Sequence, residues 1–256
     1  MKNTLEKIEE IKNNGYALSF EEVFEHAIEN YKKIAVYAGL MLLVFMFLLF
    51  IIVLGILISF FDIESIIENF KLMGTSPAAV SKDFMMGYLI SIILITCLIS
   101  PFQAGFLKMA DCGENDEEFH VSTIFSYYKS PYLSRICLSA LILTIMGTGI
   151  TIFFENIGFQ FIGTILSLLI NFLTFMTIPL IIFGGLNAIE SIKTSVIIVL
   201  KKPLVLLGIL IVGSILSIVG LIALIIGVFF TIPFLYSINY SIYKAIIGFD
   251  SNSDLE

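Results

Sequence analysis

Tryptophan is absent from this chain, histidine occurs twice, cysteine three times, and charged side chains make up only 14% of 256 residues. Each shortage excludes something. Soluble domains carry about 25% charged residues, so a chain this poor in charge cannot give itself a hydrated surface. His26 and His120 are read as polar-face histidines near lipid headgroups, not as a metal pair or a general base. Cys97, Cys112 and Cys137 have neither CxxC nor metal-ligand spacing, and no disulfide framework follows from them. No Gly-rich phosphate loop, nucleophile elbow or paired-histidine motif is present. The expectation is a protein that is not an enzyme, with no catalytic residue, no metal and no cofactor.

What the chain has is apolar length. Hydrophobic residues make up 58% of it, and the mean hydropathy is +1.02. Stretches 34–61, 84–107, 136–154, 156–189 and 203–243 carry no charge at all. A bilayer core of roughly 30 Å needs about 20 apolar residues in a helix. The last stretch is long enough for two spans, with a turn near Gly220. The predicted fold is therefore an all-α integral membrane protein of six spans, forming three helical hairpins. The spans are placed at about 34–59, 84–107, 133–154, 159–183, 204–221 and 223–245. A polar segment, 1–18, precedes the membrane domain 19–246, and a polar tail, 247–256, follows it. Twelve lysines and arginines fall on the side of both termini, and only Lys71 and Lys82 on the other. The positive-inside rule then places both termini in the cytoplasm and the chain in a bacterial cytoplasmic (inner) membrane, with the first span as an uncleaved insertion signal.

The outer connections are short. Residues 62–70 place Ile63, Ile66, Ile67 and Phe70 at helical spacing, which predicts a surface helix ended by Gly74-Thr75-Ser76-Pro77. Before spans 1, 3 and 5 the chain repeats a pattern in which an acidic residue, Glu21, Glu118 or Glu190, precedes a lysine, Lys32, Lys129 or Lys201, by eleven positions. The apolar residues between them predict a cytoplasmic amphipathic interfacial helix ahead of each hairpin. Their faces are Phe24, Ile28 and Tyr31; Val121, Phe125 and Tyr128; and Val196, Ile197 and Leu200. Ser19 is placed to cap the first. Pro101, Pro179 and Pro233 recur near the inner ends of the even spans, completing a threefold repeat.

None of the 21 acidic residues lies inside a predicted span, which argues against a proton-coupled carrier but leaves a passive pore or a lipid path open. Lys108, Arg135 and Lys244 at span ends are read as snorkelling to the interface. Glu114, Asp116, Glu117 and Glu118 are read as a solvated turn. The intramembrane polar or kink site consists of Pro101, Asn171, Pro179, Pro233 and Asn239. The asparagines need hydrogen-bond partners in lipid, and each proline frees a carbonyl four residues back, on Cys97, Phe175 and Phe229. Three such carbonyls at one depth would form a site of the kind broken helices build in transporters.

The layout, with the ending Lys201-Lys202-Pro203, Thr231-Ile232-Pro233-Phe234 and Tyr243, resembles a loosely defined bacterial family of six-span membrane proteins of unknown function. Relatives of that family include the membrane domain attached to some glycerophosphodiester phosphodiesterases. The resemblance implies a fold and no activity. The leading expectation is a non-enzymatic protein that organises or senses the membrane, or supports envelope assembly, at the inner leaflet. The alternative is a transporter or channel for a lipid-like or apolar solute passing between hairpins. A polar cavity reaching Asn171 or Asn239 would favour the alternative. Expected partners are membrane lipids and other membrane proteins, and no nucleic acid.

Overall fold

Apolar stretches of this length satisfy their backbone only as helices, and the chain adds caps at several starts. The computed structural model describes residues 2–60, 62–75, 79–223 and 226–248, and these contain helices and no strand. In order they are α1 (Lys2–Asn14), α2 (Phe20–Phe60), α3 (Ile63–Thr75), α4 (Lys82–Glu114), α5 (Val121–Ile124), α6 (Tyr132–Asn156), α7 (Gln160–Thr174), α8 (Thr177–Ile182), α9 (Ala188–Lys201), α10 (Pro203–Ile218), α11 (Ile226–Thr231) and α12 (Pro233–Ile246). Ser19 Oγ accepts from Glu22 N, Ser81 Oγ from Phe84 N and Asn187 Oδ1 from Glu190 N, capping α2, α4 and α9. Six segments are long and apolar enough to cross a membrane: Phe20–Gly55, Lys82–Glu114, Tyr132–Asn156, Gln160–Ile182, Pro203–Ile222 and Ile226–Ile246. The protein is an all-α, multi-pass membrane protein.

Proline placement explains where the elements depart from expectation. No proline lies between Ser19 and Phe60, so the first amphipathic stretch runs unbroken into its span as α2. Pro131 and Pro203 follow the lysines of the other two copies and interrupt them. The second copy shrinks to the four residues of α5 and a 3-10 turn at Ser126–Tyr128. Only the third, α9, is a separate helix of 14 residues. The even spans differ too. α4 continues through Pro101, whereas the fourth span breaks into α7 and α8 ahead of Pro179, and the sixth into α11 and α12 at Pro233. Segment 1–18 is largely helix α1, which packs on α9. Helix α3, between the first two spans, extends to Thr75, while Ser76, Pro77 and residues 249–256 of the tail lie outside the described residues.

The sides that pack inward are largely distinct from the expected apolar interfacial faces, with Phe24 buried and common to both. On α2 the buried line is Val23, Ala27, Asn30 and Ile34, and Ile28 points outward. On α9 the buried residues include Ser191, Thr194 and Ser195, while Leu200 is 60% exposed. Small hydroxyl residues let backbones approach, and the apolar side is left for the surroundings, as expected where lipid replaces water. The core gathers toward the end of the bundle that holds α1 and α9. There α4, α8 and α12, the three proline-bearing segments, contact one another pairwise. Phe102, Phe106, Met109, Leu180, Ile181 and Ile238 are fully buried around them. Because lipid tails are as apolar as leucine, this packing stabilises through dispersion rather than through removal of water.

Candidate functional site

A cavity of about 640 Å³ lies among α4, α6, α7, α8 and α12. Its lining follows helical spacing on every wall. α4 contributes Tyr88, Ile92, Thr96, Ser100 and Gln103; α6 contributes Ser139, Thr144, Thr148, Thr151 and Glu155. Ser167, Asn171 and Thr174 of α7 form the facing wall, and Thr177 of α8 with Tyr236 and Asn239 of α12 close one end. From Ser139 to Glu155 the lining runs about 24 Å along α6, at 1.5 Å per residue. α6 packs against both α4 and α7, yet α4 and α7 have scarcely any contact with each other. The cavity is therefore a groove with α6 as its floor and α4 and α7 as diverging walls. Asn171 lines it and is exposed, so the groove is open beside that residue.

Of the expected site residues, Asn171 and Asn239 belong to this groove and the three prolines do not line it. The expectation of open carbonyls ahead of the prolines needs correction. The Cys97 carbonyl freed by Pro101 accepts from the Cys137 thiol at 3.5 Å, and Cys97 Sγ returns a bond to Cys137 O at 3.7 Å. The Phe175 carbonyl freed by Pro179 accepts from Asn239 Nδ2 at 3.4 Å. Next to these, Tyr128 Oη donates to Leu98 O at 2.6 Å, and Tyr31 Oη donates to Phe230 O at 2.8 Å. Each of those carbonyls lies three residues before a proline, Pro101 or Pro233. Neighbouring helices thus supply donors to two of the three carbonyls the prolines open, those of Cys97 and Phe175. Burial raises the Tyr128 hydroxyl to about 12, consistent with its role as a donor.

A second polar constellation sits one turn beyond Asn239, where α2, α4 and α12 meet. His26 Nε2 lies 2.9 Å from Glu114 Oε2, and its Nδ1 lies 2.7 Å from Ser241 Oγ. Lys244 Nζ pairs with Glu114 as well. Tyr240 Oη donates to Asp111 Oδ1 at 3.2 Å, and Lys108 Nζ binds Asp111 Oδ2 at 2.7 Å. Asn30, 1% exposed, donates to Ala110 O at 2.6 Å and accepts from Ser237 Oγ at 2.9 Å. Lys108 and Lys244 are thus tied to carboxylates, and Arg135 Nη1 donates to Gly185 O at 2.9 Å, where snorkelling was expected. The acidic turn disperses in the same way: Glu114 joins this cluster and Asp116 pairs with Lys33 at 2.6 Å. His120 stands exposed at the start of α5. Among the described residues no three His, Cys, Asp or Glu side chains converge in a way that could hold a metal.

The groove's threonines and Glu155 were missed by reading for charge. A periodic signal does exist: Thr144, Thr148, Thr151 and Glu155 recur every three or four residues on one face of α6. Compared with family models, curated proteins and solved structures, the chain shows no match, so the site rests on its own geometry.

Proposed function

We propose that this protein binds a lipid-like, amphiphilic molecule in the groove and carries it along or across the bilayer. The observation that carries this reading is the polar-and-apolar groove reaching both Asn171 and Asn239. A closed apolar core would have favoured a purely organising role. Its volume falls within the 300–1,000 Å³ of small-molecule sites. Two polar atoms support occupancy: Thr177 Oγ1 and Asn239 Oδ1 are buried without a hydrogen-bond partner. Unpaired buried polar atoms cost about 1–3 kcal/mol each, a cost that a polar group entering this end of the groove offsets. At the far end the groove is backed by the His26–Glu114–Lys244 cluster and the Tyr240–Asp111–Lys108 chain, so access lies between α4 and α7.

The same reading takes the three hairpins as copies of one unit and places both termini on the cytoplasmic side of a bacterial inner membrane. In support, Tyr31 and Tyr128 hold matching places before their lysines and bind matching carbonyls ahead of a proline. α9 exposes Ile189 and Leu200 beside Glu190, Lys193 and Lys201, a mixed outer side that suits a helix at the membrane interface.

The natural absence of tryptophan supplies the test. Single tryptophans are placed at Leu143 in the groove, at outward-facing Phe47 and at buried Phe106, and each variant is reconstituted with brominated acyl-chain lipids. Quenching at 143 and 47 but not at 106 is the expected pattern. A tryptophan at 143 as shielded as that at 106, in a folded protein, refutes entry of lipid-like molecules.

A further inference from the structure

The groove's polarity has a sense. Six hydroxyls on its walls, those of Thr96, Ser100, Ser139, Thr148, Thr151 and Thr174, donate to carbonyls three or four residues back on their own helices, at 2.6–3.0 Å. A hydroxyl has one proton and two lone pairs, so with the proton committed to the helix these side chains offer the groove oxygen acceptors. Asn239 does the same: its amide N–H donates to Phe175 O, and its Oδ1 is left buried and unpartnered. Thr177, 2% exposed, holds its unpartnered Oγ1 at the same end. At the other end stands Glu155, the one charged residue in the lining, with no basic partner among the described residues. A carboxylate accepts only.

We propose that the ligand's headgroup is a primary ammonium attached to an apolar tail. This assignment rests on the reading of the groove as an amphiphile site and specifies its chemistry. An ammonium has three donors and no acceptor, which matches the six acceptor hydroxyls beside a carboxylate, while Gln103, Asn171, Tyr88 and Tyr236 add donors elsewhere in the lining. A phosphate or carboxylate headgroup would set negative charge against Glu155, and an alcohol would satisfy one acceptor only. Leu89, Ile92 and Leu143 provide the apolar surface for the tail.

The experiment measures binding to the full chain in phosphatidylcholine nanodiscs, with binding to empty nanodiscs subtracted. The probes are dodecylammonium, dodecanol, laurate and butylammonium. The expected result is saturable binding of dodecylammonium ahead of dodecanol, with laurate weakest. Glu155→Gln should weaken dodecylammonium by about tenfold, equivalent to 1.4 kcal/mol, and leave dodecanol unchanged. Thr151→Val, which removes an acceptor one turn from Glu155 at nearly constant shape, should weaken dodecylammonium in the same direction and guards against misfolding of the first variant. Equal affinities for dodecylammonium and dodecanol, both insensitive to Glu155→Gln, overturn the ammonium assignment and leave the amphiphile reading standing. Absence of saturable binding by every probe also overturns it, and the quenching at position 143 then decides separately whether lipid-like molecules enter the groove at all. Butylammonium binding as tightly as dodecylammonium overturns the lipid-like source in favour of a soluble amine.

Discussion

Removing the amide of Asn30 tests whether the first and last hairpins are tied together by one buried side chain. Asn30 reaches from α2 to Ala110 O on α4 and to Ser237 Oγ on α12, at 2.6 and 2.9 Å, and is 1% exposed. Asn30→Ala forfeits two hydrogen bonds, each worth about 0.5–1.5 kcal/mol net, and opens a small void. The expected loss is about 2–4 kcal/mol. Ser237→Ala removes one of those bonds and leaves Asn30 Oδ1 buried without a partner, at a cost of about 1–3 kcal/mol. Because the two share one bond, the double variant should cost less than the sum, with a coupling of about 1 kcal/mol. SDS titration in mixed micelles, followed by far-UV circular dichroism, measures all four corners of the cycle. Additivity within about 0.3 kcal/mol would refute the tie, since distant and independent sites behave that way.

Other outcomes follow from the same geometry. A Cβ on Gly105 would fall 2.0 Å from the Ile124 carbonyl oxygen, so Gly105→Ala should displace α5 from α4 and speed proteolysis between residues 115 and 131. Glu114→Gln should lower thermal stability more than Asp116→Asn, because Glu114 holds both His26 and Lys244 whereas Asp116 is exposed with Lys33. Equal effects on the melting temperature would contradict this ranking. Burial raises Tyr16 from 10.0 to about 12, with its hydroxyl donating to Ile198 O. The folded state favours the protonated phenol, so this contribution is intact below pH 10 and is lost as pH rises toward 12. Tyr16→Phe should flatten stability measured across that window.

Much of the architecture was legible because charge and bilayer thickness constrain it strongly. Charge-free stretches located all six spans, and the turn near Gly220 is present as a 3-10 segment at Val219–Ala223. Apolar spacing marked the proposed interfacial faces of α2 and α9 but not their contact sides, which also use small or hydrogen-bonding residues. Asn30 and Ser195 are therefore core residues, and Leu200 is not. Asn171 and Asn239 were recognised, since an amide at membrane depth stands out against leucine. The groove threonines were not, since threonine with its hydroxyl bonded to its own helix reads as neutral. The meeting of His26, Glu114 and Lys244 joins residues 88 to 218 positions apart, and no local pattern signals it.

The groove is made like an open book, with α6 as the spine and α4 and α7 as covers that barely touch. The covers meet almost only through the spine, so groove width is set by the α4–α6 and α6–α7 seams and not by direct contact between the covers. Occupants of different girth then press on those two seams and not on a closed rim. Selection among them falls to the fixed hydrogen-bonding sense of the spine rather than to its shape.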